Sequence, residues 1–165
     1  MTAPVFPRRI FVIGFVIAAV VIAADQATKW WVVEHVMQPP RVIPLTSFFN
    51  LVMAWNRGVS FGLFSEAGFG AWVLTTLALG LCGILGVWLW RSKTLMLGIA
   101  LGLVIGGALG NVVDRVRFGA VADFLDFYIG AWHWPAFNLA DSAITVGAGL
   151  LILDSLFQRP DNPDR

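Results

Sequence analysis

Between Phe69 and Trp90 the chain runs without one charged side chain, over more than the roughly 20 apolar residues that cross a hydrocarbon core. Three further stretches approach the same length, at about 10–33, 94–113 and 136–155. The composition agrees: 58% hydrophobic, 13% charged, mean hydropathy +0.79. A mainly α, polytopic membrane protein is therefore expected, with four transmembrane helices in a single integral-membrane domain over 1–165. A net charge of +1 supplies no basic surface, which excludes nucleic acid as a partner. Cys82 is the sole cysteine, and His35 and His133 lack paired spacing, so neither a disulfide nor a metal is expected.

Arg8 and Arg9 precede the first apolar run in the manner of a signal peptide, but no small-residue cleavage site follows. Between the first two spans, residues 42–64 are broken by Pro44, Asn50 and Asn56-Arg57-Gly58, and their β-branched and aromatic content predicts short strands. The polar segment 114–135 is read as a loop with Trp132, His133 and Trp134 as interface anchors, and 158–165 as a disordered tail. Gly98, Gly102, Gly106 and Gly110 recur every four residues, a stripe that lets a neighbouring helix approach closely. Four spans put both termini and the Arg91-Ser92-Lys93 turn on one side. Lys and Arg divide six to five between the sides, which places the termini in the cytoplasm.

This topology gathers the polar residues at the opposite, extracytoplasmic end. Asp25 and Lys29 close the first span, Asn111, Asp114 and Arg115 close the third, Asp123 follows in the loop, and Asn138 and Asp141 open the fourth. With the fourth helix starting at Ala136, Asp141 would lie about 7 Å inside it. Asp25 and Lys29, at i and i+4, suit an ion pair, and Asp114 with Arg115 looks partly structural. Asn111 and Asp114, like Asn138 and Asp141, are three residues apart, so each amide is expected to support the carboxylate on its own face. Asp123 and Asp141 have no cation within one turn. Two carboxylates meeting from separate elements share a proton, so one can activate water while the other polarises a carbonyl. From spacing alone, a proton relay or plain packing remains open. The rival function is a small proton- or ion-conducting, or lipid-binding, membrane subunit.

Five blocks carry a more specific signal: Asp25-Gln26-Ala27-Thr28-Lys29; Asn56-Arg57-Gly58-Val59-Ser60-Phe61-Gly62; Gly106 through Arg115; Val121-Ala122-Asp123-Phe124; and Pro135-Ala136-Phe137-Asn138-Leu139-Ala140-Asp141-Ser142. In this order they resemble lipoprotein signal peptidase, the bacterial signal peptidase II that removes signal peptides from prolipoproteins. The resemblance implies four membrane helices with a small extracytoplasmic β-sheet cradle in the bacterial cell membrane. It implies an aspartic endopeptidase without cofactor, a monomer among membrane lipids, cutting before a diacylglyceryl-modified cysteine. Asp123 and Asp141 would be the catalytic pair. Asp25, Asn56, Asn111, Asp114, Arg115 and Asn138, with Lys29, Arg57, Gly58 and Ala140 from the same blocks, would support the site or position substrate. Two departures stand out: Ser60 replaces a frequent alanine, and a second loop carboxylate, Asp126, is read as structural or hydrated. The segment 42–64 is expected to cover the site and exclude bulk water.

Overall fold

A computed structural model describes residues 7–58 and 69–157. Its helices are α1 (Pro7–Trp31), prolonged by a wider π-helical turn (Val32–Val36), α2 (Phe69–Trp90), α3 (Leu95–Phe118) and α4 (Leu139–Phe157). Strands β1 (Ile43–Pro44), β2 (Phe49–Asn56), β3 (Val121–Ile129) and β4 (Trp132–His133) form one antiparallel sheet in the order β1-β2-β3-β4. The tail at 158–165, the end of the β-rich stretch at 59–64 and the Val59-Ser60-Phe61-Gly62 part of the second block lie outside the described residues.

The four helices are each long and apolar enough to cross a membrane. Their burial is unequal: the apolar window of α3 is 72% buried, against 22% in each of the others. Thus α3 is the axis of the bundle, while α1, α2 and α4 turn Phe15, Val20, Leu77, Ile84, Ile152 and other apolar side chains outward. An apolar exterior around a packed interior suits lipid as solvent.

The glycine stripe explains how α1 reaches that axis. A Cβ on Gly98 would lie 2.6 Å from Ile10 Cγ2, one on Gly102 2.5 Å from the Gly14 carbonyl oxygen, and one on Gly106 2.8 Å from the Ala18 carbonyl oxygen. The two backbones run parallel at a separation no larger residue permits. On another face, Gly147 of α4 sits against Ala100 and Val104, so α4 runs antiparallel.

Several boundaries differ from the sequence reading, each for a physical reason. α3 does not stop at Val113 but carries Asp114 and Arg115 within it, ending where Gly119 takes φ +69° and donates to the Arg115 carbonyl. α4 starts at Leu139 rather than Ala136, because Phe137 is bridged to Leu125 and Asn138 caps the helix, accepting from the Asp141 N–H at 2.9 Å. Asp141 consequently lies in the first turn, shallower than expected. The segment after α3 is not a loop. It supplies the central strand β3, with Asp123 on it opposite Ala54. Between Leu51 and Ala54 the register of β2 slips, a bulge beside Asp123.

Candidate active site

The sheet closes over the bundle end where α1 and α3 finish and α4 begins. There Asn138 touches both carboxylates of interest: its Nδ2 donates to Asp123 Oδ1 at 2.7 Å, and its backbone N–H to Asp141 Oδ2 at 3.3 Å. Asp123 arrives on a strand and Asp141 on a helix, and one capping residue joins them. Asn56, at the end of β2, donates to the other Asp123 oxygen at 3.0 Å. Asn111 Nδ2 donates to Asp141 Oδ1 at 2.7 Å.

The amides therefore cross over. Each asparagine was expected to serve the carboxylate three residues on, but Asn111 serves Asp141, and the Asn138 side chain serves Asp123. Asn111 reaches Asp141 because α3 and α4 pack closely, with Gly107 against Ala140, while Asn138 lies against β3, where its Nδ2 also meets the Ala122 carbonyl. Lys29 and Asn138 both donate to Asn111 Oδ1, at 3.0 and 3.2 Å. That leaves Asn111 Nδ2 facing Asp141 in only one orientation.

Asp123 is 2% exposed. Burial pushes its carboxyl up to about 6: the Asn56 hydrogen bond opposes this, the charge of Asp141 adds to it, and Asn138 and Lys29 oppose it again. A carboxyl so placed keeps its proton over a range in which ordinary aspartates have lost theirs.

Behind the pair lies a buried ionic layer. Lys29 Nζ is 2.8 Å from Asp25 Oδ2, as the i,i+4 spacing predicts, and 2.9 Å from Asp114 Oδ2. Asp114 thus pairs with Lys29 rather than with its neighbour Arg115. Gln26, absent from the sequence-derived site, donates to Asp114 Oδ1 at 2.8 Å. Its place one residue after Asp25 in the same turn was the available signal. The Arg115 guanidinium interacts electrostatically with Asp141, Asp114 and Asp123, and its buried Nε has no hydrogen-bond partner among the described residues.

Other candidates sit apart. Gly58 takes φ +78° and donates to Asn56 Oδ1 at 2.8 Å, a tight turn that aims Asn56 at Asp123, while Arg57 is exposed. Ala140 is fully buried and contributes its backbone N–H to Asp25. Asp126 is no hydrated loop carboxylate. It is 4% exposed and accepts from Asn50 Nδ2 at 3.0 Å, with His133 Nδ1 at 2.9 Å. Burial acts to raise its pKa, but the Asn50 and His133 hydrogen bonds and the His133 charge outweigh it and hold the carboxyl below its usual value. Successive strand residues alternate faces, so Asp126 and Asp123, three apart on β3, point to opposite sides.

A protein-family model described as signal peptidase (SPase) II matches residues 17–157. A lipoprotein signal peptidase of Pseudoalteromonas atlantica is 46% identical over 149 residues, 88% of this chain and 90% of its own length. One from Burkholderia mallei is 49% identical over 142 residues, 85% of each. Among solved structures, a bacterial membrane enzyme determined by the in meso method at 2.3 Å superposes with a TM-score of 0.76 at 27% identity, covering 92% of this chain and 94% of that one. A second, at 1.9 Å, gives 0.78 at 29% identity, covering 88% and 94%.

Proposed function

Because the chain belongs to the signal peptidase II family, an aspartic endopeptidase of the bacterial membrane that removes signal peptides from prolipoproteins, we propose that Asp123 and Asp141 are its catalytic pair. The observation carrying this reading is the convergence of the two carboxylates on Asn138 from separate elements. Asp123, with its raised pKa, holds the proton and donates it to the scissile carbonyl oxygen. Asp141, held by Asn111 Nδ2, takes a proton from the attacking water. Oxygen adds to the carbonyl carbon and a tetrahedral diol forms. Its collapse breaks the C–N bond, the amine nitrogen leaving with a proton returned by the pair.

The bond cut is the one before a diacylglyceryl-modified cysteine. Two acyl chains keep that residue at the membrane surface, the depth at which Asp141 opens α4. Arg115, whose buried Nε has no hydrogen-bond partner among the described residues, is positioned to receive a substrate carbonyl beside the pair. Asp25, Lys29, Asn56, Gly58, Asn111, Asp114, Asn138 and Ala140 hold the pair in place. Substrate enters laterally from lipid, and a water reaches the pair from the extracytoplasmic side. The chain acts as one integral-membrane domain and as a monomer, with both termini cytoplasmic and the site at the extracytoplasmic face.

The test is incubation of purified protein with a diacylglyceryl-modified precursor peptide, scored by a cut before the modified cysteine. Asp123→Asn and Asp141→Asn should each lower kcat by roughly 10²- to 10⁴-fold, with protein level and membrane insertion intact. Near-normal cleavage by either variant refutes the assignment.

A further inference from the structure

In the chain, an alanine precedes each member of the proposed pair, and the backbone N–H of each alanine is held by a different buried carboxylate. The Ala122 N–H donates to Asp114 Oδ2 at 3.1 Å, and the Ala140 N–H donates to Asp25 Oδ1 at 3.0 Å. Lys29 Nζ joins these carboxylates at 2.8 and 2.9 Å. A continuous run of charge-assisted bonds thus leads from the backbone before Asp123, through Asp114, Lys29 and Asp25, to the backbone before Asp141.

We propose that Asp25, Lys29 and Asp114 form a positioning brace that sets the separation of the Asp123 and Asp141 carboxylates by gripping the amide that precedes each. The inference rests on the assignment of those two aspartates as the catalytic pair. Three features distinguish a brace from an ordinary buried ion pair. All three side chains are nearly inaccessible, at 0% for Asp25, 3% for Lys29 and 1% for Asp114, so the costly desolvation is spent inside the bundle rather than at a surface. Gln26 ties the carboxylates a second time, donating to Asp114 Oδ1 at 2.8 Å and Asp25 Oδ2 at 3.3 Å. Gly110 leaves the space for Asp25: a Cβ there would lie 2.7 Å from its Oδ2. The fourth glycine of the stripe therefore faces the brace, whereas the first three face the α1 side chains and backbone at Ile10, Gly14 and Ala18. Displacing reacting groups by about 1 Å costs on the order of 10²-fold in rate, so such a brace acts on kcat.

Two variants disturb the brace without altering any charge: Gly110→Ala presses on Asp25, and Gln26→Met removes the second tie. Gly98→Ala is the control, an equal steric insult on the same stripe, roughly 18 Å away along α3. Each variant is purified, its folded fraction measured by size exclusion and thermal unfolding, and kcat and KM followed across pH on the lipid-modified peptide. Per folded molecule, Gly110→Ala and Gln26→Met should lose about tenfold or more in kcat with KM nearly unchanged. Their acid and alkaline limbs should also shift, because the coupling between two carboxylates depends on their separation. Gly98→Ala should keep the parental kcat and both limbs. If the brace variants match Gly98→Ala, or lose activity only in proportion to folded protein with both limbs unmoved, the brace is overturned. Should Gly110→Ala fail to fold, Gln26→Met decides alone. Cleavage retained by Asp123→Asn or Asp141→Asn would instead remove the catalytic assignment beneath it.

Discussion

Asp123 keeps a proton to about pH 6 because burial, more than any neighbour, opposes its charge. If that proton is the one given to the scissile carbonyl, kcat declines as pH rises through this value. The Asn56 hydrogen bond favours the ionised form, so Asn56→Ala raises the Asp123 pKa and carries the alkaline limb to higher pH. A pH–kcat profile of the variant checks the sign, and a limb moved downward contradicts it. At this scale the sequence was informative wherever partners share one helix: Asp25 and Lys29 were readable as i and i+4. The crossed service of Asn111 and Asn138 was not readable, since it depends on how the start of α4 faces both α3 and β3. Gln26 was overlooked for the same reason, its shortest hydrogen bond reaching Asp114 on α3.

Asp126 matters to the sheet as an element. It links Asn50 on β2 to His133 on β4 from its place on β3, across the hairpin turned by Gly130 at φ +60°. Its native pKa is depressed, so its stabilising contribution is full above the ordinary value of 3.8 and is lost as pH falls through the lower native one. Asp126→Ala should accelerate amide exchange across residues 128–134 while peptide cleavage persists. Abolished cleavage in a folded variant would return Asp126 to the site. The helices were legible because length and hydropathy alone select them in lipid. The strand β3 was not, since its nine residues acquire their structure from β2, far away in the chain. Likewise α3 continues past Val113 because Asp114 is buried in an ion pair with Lys29 of α1, a partner far away in the chain.

For the molecule as a whole, the arrangement is a lipid-facing bundle with its polar content collected at one end. The Arg91-Ser92-Lys93 turn lies at the other end, between α2 and α3. With Cys82 buried, a membrane-impermeant maleimide offered outside intact cells should label a cysteine at Tyr128 and spare one at Lys93. The reverse pattern would invert the proposed orientation.

The pairing of Asp25 with Lys29 inside one helix also bears on how the protein is made. The first span is synthesised long before Asp114 exists, and an aspartate alone at membrane depth costs about 2.5–3.5 kcal/mol on insertion scales. Carrying its own counter-ion one turn away, Asp25 enters the bilayer as half of a neutral pair. Asp114 joins it only when α3 arrives, and Ala140 only with α4. A nascent chain therefore holds a membrane-compatible precursor of the site throughout translation, and the protease becomes complete with its last helix.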